Sequence, residues 1–320
     1  MNSGTPNPRA PGDPSPRRWR GVVMFTIGAA LVVAALVVVA RQGAGLAGVW
    51  DAARDSPAWL VALLLVLPLL NWLCSAASFH VLTNRYGKVG AIEMGAIIAS
   101  SWLLNYLPMR PGLIGRVAYH KRCNGIPIAA SVQVLAFSIG LSGVAIIVTL
   151  ASLLLLGAQA GSQGAAPGLR TWFALSVPAI LGLAGTIWLR ARSSSSWRFV
   201  GAGVFKFVDV LVWATRYWAC FSMVGVELSP TQAAGIAAVT QLVLLIPLAG
   251  NGLGLREWGV GLVASSLPAW FAGGAAAPTR VEGLSADLVN RGAELLAALV
   301  VGLWGTMMVA RRAAGARGKA

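Results

Sequence analysis

The sequence predicts an all-α fold, a polytopic membrane helix bundle, from three observations. Hydrophobic residues make up 57% of the 320 positions and charged residues only 11%. The mean hydropathy is +0.73, and a soluble globule of this composition would lack the polar residues needed to cover its surface. Nearly uncharged runs of about 18 or more residues, long enough to cross a hydrocarbon core of ~30 Å as helix, recur along the chain.

Six of these runs are predicted to be full membrane crossings. The first, 21 to 40, is longer than the roughly 7 to 15 residues of a signal-peptide core, so it is expected to stay in the protein. The polar, proline-rich residues 1 to 20 before it are expected to be a disordered cytoplasmic N-terminus. The other five crossings are predicted at 58 to 79, 126 to 157, 171 to 189, 199 to 223 and 285 to 310.

Two further apolar stretches, 91 to 108 and 233 to 268, are interrupted by residues that a helix interior disfavours. The first reaches a turn with two prolines and a glycine at 107 to 112, and the second contains Pro247 and the Gly-Asn-Gly-Leu-Gly run at 250 to 254. Each is predicted to be a re-entrant broken helix that returns to the side it entered. The alternative is a pair of full crossings, which would raise the number of helices in the membrane to eight or more.

The distribution of basic residues favours the re-entrant interpretation. One group of segments holds 17 of the 25 Lys and Arg residues: 1 to 20, 80 to 90, 109 to 125, 190 to 198 and 311 to 320. The positive-inside rule places this group in the cytoplasm, and a full crossing at 91 to 108 would move 109 to 125 to the outside. The prediction is therefore a single transmembrane domain, 21 to 310, with both termini cytoplasmic and a basic tail at 311 to 320.

This topology divides the transmembrane domain into two halves with the same order of elements. Residues 21 to 157 read as helix, helix, re-entrant segment, helix, and residues 171 to 310 repeat that order with inverted orientation. Broken helices at matching positions of an inverted repeat indicate the binding site of a transporter.

Composition also limits the partners and cofactors. The formal net charge of +15 would suggest nucleic acid in a soluble domain, but basic cytoplasmic loops account for it in a membrane protein, so no nucleic-acid partner is predicted. Cys74, Cys123 and Cys220 are far apart and form no ligand pattern with the two histidines, so neither a disulfide nor a metal site is expected. Nucleotide-binding and hydrolase motifs do not occur, and no cofactor is predicted.

The first break carries the candidate substrate-binding residues Asn105, Pro108, Arg110, Gly112 and Arg116. Arginine holds a phosphate through two parallel hydrogen bonds and keeps its charge. Arg110 and Arg116 therefore predict a phosphate site for a lipid headgroup. The alternative is that these arginines only anchor the chain at the cytoplasmic surface.

The second break carries the candidate substrate-binding residues Gly252, Gly254, Arg256 and Glu257. Glycines allow backbone N–H groups to approach a ligand, and a half-helix starting near Gly254 would point the positive end of its dipole at an anion. The alternative is an ion pair between Arg256 and Glu257 that neutralises itself at the membrane interface.

Two of the predicted crossings have polar stripes at helical spacing. One stripe consists of Lys206, Asp209, Trp213 and Arg216, and the other of Asp287, Arg291 and Glu294. Charged groups inside a membrane usually line a cavity, so Asp209, Arg216, Arg291 and Glu294 are predicted to do so. Salt-bridged helix packing is the alternative. Lys206 can also reach the interface by snorkelling, while Asn71 and Glu93 are interpreted as polar groups satisfied within the bundle.

The first break resembles the signature of the lysylphosphatidylglycerol synthetase/flippase-like transmembrane family, in which Asn and Leu-Pro-x-Arg-x-Gly precede a further Arg. The matching positions are Asn105, Leu107, Pro108, Arg110, Gly112 and Arg116. The second break resembles that family's Pro, Gly-rich, Glu motif. Its matching positions are Pro247, Gly250, Gly252, Gly254 and Glu257. The similarity in order and spacing covers most of the chain after the first helix.

This resemblance implies a multi-pass protein of the bacterial inner membrane that translocates lipid. The 320 residues include no synthetase domain, so the implied activity is that of the flippase domain alone. A membrane lipid is the expected substrate, and a separate lipid-synthesising enzyme could supply it. The sequence does not predict an oligomeric state.

The chain departs from the family pattern at positions that normally carry charge. Leu113 stands where the family usually has Glu, and Leu135, Ala136 and Ile139 replace a charged cluster in the following helix. The missing acidic groups are those that could meet a cationic aminoacyl headgroup. These departures imply an altered headgroup preference or a loss of activity, so a phosphate-bearing lipid stays the expected substrate while a lysyl lipid is a weaker expectation. A membrane-embedded transferase acting on a lipid carrier and a non-transporting scaffold for lipid or envelope biosynthesis remain alternatives, and the missing catalytic motifs favour a transporter over an enzyme.

Overall fold

The computed structural model describes residues 51, 54–106, 111–160, 169–245, 255–266 and 277–317, and their side chains except at 157–160, 245, 255–258, 316 and 317. Within these ranges the fold is all-helical, with nine helices and no strand. In chain order they are α1 Ala58–Thr83, α2 Ala91–Leu104, α3 Pro111–Cys123, α4 Ile128–Ala160, α5 Leu169–Ala191, α6 Trp197–Met223, α7 Pro230–Leu245, α8 Leu255–Ser266 and α9 Arg280–Arg317.

Four of the described helices, α1, α4, α5 and α9, are long and apolar enough to cross a membrane. The protein is therefore a helical membrane protein. These helices coincide with the predicted crossings at 58 to 79, 126 to 157, 171 to 189 and 285 to 310, although α9 begins earlier, at Arg280. The predicted crossing at 21 to 40 and the N-terminus before it lie outside the described residues.

Helix α6 lies at the centre of the bundle and corresponds to the predicted crossing at 199 to 223. It packs against α1, α4, α5, α7 and α9. Its 27 residues extend for about 40 Å, enough to cross a bilayer. Lys206, Asp209 and Arg216 lower its hydropathy, and these side chains need neighbouring helices rather than lipid around them.

Helices α2 and α3 form an antiparallel hairpin at the first break. The Ser101 hydroxyl donates a 3.0 Å hydrogen bond to the carbonyl oxygen of Gly112 near the turn, and the Tyr119 hydroxyl donates a 2.9 Å bond to Glu93 near the open end. With 14 and 13 residues, each helix extends for roughly 20 Å, less than a full span. The basic segment 109 to 125 is helical from Pro111 to Cys123, and proline suits a first helical turn, where no N–H is needed.

A second pair of short helices, α7 and α8, contains 16 and 12 residues, and its members contact each other. Helix α8 also packs closely on α9 through glycines, since a Cβ built on Gly283 would lie 2.8 Å from the Cα of Gly261. Residues 246 to 254 between these helices, including Pro247 and the glycine run, lie outside the described residues.

The contacts between helices repeat between the two halves. Helix α2 of the first short pair packs on α9, and α7 of the second pair packs on α4. Helices α1 and α6, which occupy matching places in the order of elements, pack on each other. Small residues permit the approach of α9 to α2, because a Cβ built on Gly302 would lie 2.5 Å from Leu103 Cβ.

The basic segments meet at one end of the bundle. The Arg85 guanidinium lies 5.2 Å from the centre of the Phe199 ring. This contact places the loop after α1 beside the start of α6. Arg312, near the end of α9, forms an ion pair with Glu93 at the start of α2. The open end of the α2–α3 hairpin is at this same basic end.

Candidate functional site

A cavity of about 290 Å³ lies inside the bundle, between the first hairpin and the central helices α1 and α6. Five of the described residues that line it are charged: Arg116, Lys206, Asp209, Arg216 and Glu294. Neutral hydrogen-bonding side chains add to its polarity, among them Asn71, Ser75, Ser101, Asn105, Ser138, Ser142 and Gln241. The described lining also includes four aromatic rings, those of Trp72, Phe79, Trp102 and Trp213.

A hydrogen-bonded chain of side chains forms one wall of the cavity. Asn71 Nδ2 donates a 2.8 Å bond to Asp209 Oδ1, and Arg216 Nη1 donates a 2.9 Å bond to Asn71 Oδ1. Arg216 also pairs with Glu294 at 3.4 Å. The chain thus connects α1, α6 and α9, which come from both halves of the sequence.

The carboxylate of Asp209 receives a second amide from α7. Gln241 Nε2 donates to Asp209 Oδ2 at 3.3 Å. Because both oxygens of the carboxylate accept hydrogen bonds, the amides stabilise its charged form. Arg216 stacks on the Trp213 ring, with its Cζ 4.0 Å from the ring centre.

Two other cations, Arg116 from α3 and Lys206 from α6, lie against the ring of Phe79. Arg116 Cζ is 3.9 Å from the ring centre, and Lys206 Nζ is 5.4 Å from it. Arg116 is 7% exposed and Lys206 9%. Neither has a hydrogen bond or an ion pair within 4 Å among the described residues, so both keep donors for a ligand.

The candidates at the first break divide into three groups. Asn105 and Arg116 line the cavity, and Asn105 Oδ1 is buried without a hydrogen bond in the described structure. Gly112 instead lies between α2 and α3, where a Cβ would clash with the Ser101 carbonyl oxygen and lie 2.7 Å from Asn105 Oδ1. Pro108 and Arg110 lie outside the described residues.

The candidates at the second break have no described side chain. Gly252 and Gly254 lie outside the described residues, and only the helical backbone of α8 is described at Arg256 and Glu257. The anion site expected there stays a prediction.

The polar stripes of α6 and α9 meet, but they do not contribute equally to the cavity. Asp209, Arg216 and Glu294 line it, whereas Arg291, 2% exposed, does not. Asp287 of the same stripe accepts a 3.0 Å hydrogen bond from the Tyr217 hydroxyl. The α9 stripe therefore combines cavity lining at one position with helix packing at another.

Several cavity residues were not proposed as site residues from the sequence. Asn71 joins Asp209 to Arg216, Gln241 supports Asp209, and Phe79 is the ring shared by two cations. The only sequence signal was the single amide of Asn71 in an apolar run, which equally suits a satisfied packing residue. Nothing in the sequence distinguishes Lys206 as a ligand-binding residue from a lysine that snorkels to the membrane interface.

Apolar side chains complete the described lining of the cavity. Leu113, Leu135 and Ile139 all belong to it. Because these positions carry no charge, basic residues outnumber acidic ones among the described lining residues.

Outside the cavity, the open end of the α2–α3 hairpin is fastened by Glu93. Its carboxylate accepts hydrogen bonds from the Tyr119 hydroxyl and from Asn124 Nδ2, the latter at 3.0 Å, and pairs with Arg312.

No family model, curated protein or solved structure matches this chain. The functional argument therefore depends on the cavity and on the residues that line it.

Proposed function

We propose that this protein is a membrane-embedded lipid translocase that recognises a phosphate-bearing headgroup. The observation that supports this most directly is a charged cavity inside a bundle of apolar helices, with two buried cations that form no ion pair with any described residue. Charged side chains are costly within a membrane and usually mark the path of a polar substrate.

The size of the cavity fits a headgroup. Its volume of about 290 Å³ is near the lower end of the range for ligand pockets, roughly 300 to 1,000 Å³. A headgroup can enter while the acyl chains stay in the surrounding lipid. Polar groups around the headgroup then replace the water it loses, which lowers the cost of crossing the hydrocarbon.

The proposed topology has six crossings, with α2–α3 and α7–α8 as re-entrant pairs and both termini in the cytoplasm of a bacterium. Two observations support it. The described part of each helix in these pairs is shorter than a span, and the described basic segments meet at the end of the bundle where the α2–α3 hairpin is open. The positive-inside rule makes that end cytoplasmic.

Membership of the lysylphosphatidylglycerol synthetase/flippase-like family is part of this proposal. Two of its first-motif positions, Asn105 and Arg116, line the cavity. In the proposal Pro108 and Arg110 complete the entrance. Gly252, Gly254, Arg256 and Glu257 belong to the same proposal as further substrate-binding residues.

The test is headgroup movement in proteoliposomes that contain purified protein and a panel of fluorescent phospholipids and glycolipids. Wild type should expose inner-leaflet label to an impermeant quencher, and Arg116→Gln should slow this by about tenfold or more, because charged hydrogen bonds to the headgroup are lost. Arg122→Gln is the matched control, since it removes an exposed arginine from the same helix. If folded wild type moves no lipid, the translocase proposal fails.

A further inference from the structure

We infer that Arg116 and Lys206 clamp one phosphodiester group across Phe79, and that the accepted headgroup carries a single net negative charge and an uncharged polar end. This inference rests on the proposed lipid-handling function and names its substrate class. Lys206 is the new member of the site, because nothing in the sequence separated it from a snorkelling lysine.

The geometry supports a shared ligand for the two cations. Their charged ends lie 3.9 Å and 5.4 Å from the same ring centre, and both side chains line the cavity. The ring of Phe79 holds them by cation–π contact without using their N–H donors. Arginine and lysine held in this way suit a phosphate, which offers several acceptor oxygens.

Burial without an ion pair is the second argument. Each side chain is at least nine-tenths buried, and neither takes part in an ion pair or hydrogen bond among the described residues. Burying a cation away from water without an anion in contact costs free energy. Burying two neighbouring cations costs more, because their charges also repel each other. An anion placed between them would remove that penalty.

The charge balance of the cavity indicates how much negative charge the ligand brings. The described lining residues include three cations, Arg116, Lys206 and Arg216. They also include two carboxylates, Asp209 and Glu294. Arg216 is paired with Glu294 at 3.4 Å, and the second carboxylate, Asp209, lies one helical turn from Lys206. One positive charge is left in excess. This excess matches a phosphodiester headgroup with one net negative charge better than a zwitterionic headgroup or a polyphosphate.

The rest of the lining favours an uncharged end for the headgroup. Serine hydroxyls and the Asn105 amide can bind hydroxyl groups, and Asn105 Oδ1 is buried without a partner in the described structure. Leu113, Leu135 and Ile139 are apolar, and both described lining carboxylates already have partners, Glu294 in Arg216 and Asp209 in the amides of Asn71 and Gln241, so none of the described lining residues is left to meet an amine. A hydroxylated headgroup such as glycerol therefore fits better than an amino headgroup.

The experiment is titration calorimetry on the full chain in neutral detergent with three probes. They are short-chain phosphatidylglycerol, phosphatidylcholine with the same chains, and inorganic phosphate. We expect phosphatidylglycerol to bind at least tenfold more tightly than phosphatidylcholine. Lys206→Gln and Arg116→Gln should each weaken phosphatidylglycerol binding about tenfold or more. Lys206→Arg should retain it, and Lys121→Gln, the loss of an exposed lysine on α3, should leave it unchanged.

Unfolding temperatures measured without ligand show whether each variant is folded. Equal binding of the two lipids, or wild-type binding by folded Lys206→Gln, would overturn the inference. Binding of inorganic phosphate that depends on both cations, without binding of phosphatidylglycerol, would overturn the lipid assignment and identify a free-phosphate site. Lipid binding that depends on Arg116 and Lys206, without lipid movement in proteoliposomes, would support the shared phosphate site and refute translocation.

Discussion

At the scale of single residues, Asn71 has the most connected role among the uncharged groups of the site. Its amide donates to Asp209 and accepts from Arg216. An asparagine can do both because its side chain carries a donor and an acceptor. Asn71 therefore holds the Asp209 carboxylate and the Arg216 guanidinium of α6 in fixed positions without adding a charge.

Replacing Asn71 with Leu should reduce stability. The change leaves the Asp209 carboxylate and the Arg216 guanidinium each short of one hydrogen bond in a buried place, at a cost of about 1 to 3 kcal/mol. Leu70→Ala, at an exposed neighbouring position on α1, should cost much less. Thermal unfolding in detergent measures both, and an Asn71→Leu protein as stable as wild type would contradict the role given to the amide.

At the scale of elements, the α2–α3 hairpin depends on a close approach near its turn. The Ser101 hydroxyl bonds to the Gly112 carbonyl oxygen, and the space where a Cβ of Gly112 would lie is filled by α2. The hairpin also places Asn105 and Arg116 on the same cavity. A wider separation of its helices would therefore disturb both packing and the site.

Gly112→Ala should separate α2 from α3. The added methyl meets backbone and the Asn105 side chain, so overpacking should cost about 1 to 3 kcal/mol, and the affinity for an anionic lipid should fall as Arg116 moves. Gly115→Ala, on the same helix with open space around its Cβ, is the control. Unfolding temperature and lipid binding are the two measurements, and equal behaviour of the two variants would show that the approach is not tight.

At the scale of the whole molecule, the topology depends on whether α6 crosses the membrane. It is not among the four helices that hydropathy selects, yet it lies at the centre of the bundle and supplies Lys206, Asp209 and Arg216 to the cavity. Its flanking residues Ser195 and Glu227 are both exposed and lie at opposite ends of a helix about 40 Å long.

Single cysteines at these two positions should react from opposite sides of the membrane. In a background without the three native cysteines, Glu227→Cys should label with an impermeant maleimide in intact spheroplasts. Ser195→Cys should label only after permeabilisation, because it lies among the basic segments. Labelling of both from the same side would contradict a crossing by α6, and exchanged sides would invert the proposed orientation.

Within the described residues, the sequence by itself determined the helical membrane class, the positions of the four long apolar helices and the presence of helices on either side of the two breaks. These features follow from local composition: long apolar runs must form helices in lipid, and prolines and glycines end them. The residue types at the first break also pointed to Asn105 and Arg116, because a charge inside an apolar region is conspicuous in the sequence alone.

Only the tertiary structure decided which side chains share the cavity. Asn71 and Asp209 are separated by 138 positions, and Phe79 contacts cations from α3 and α6, so their association depends on how each helix is rotated and packed. Helical spacing placed Arg291 and Glu294 on the same face, but of the two only Glu294 lines the cavity. Periodicity defines a face, whereas the neighbours of that face are set by packing between distant parts of the chain.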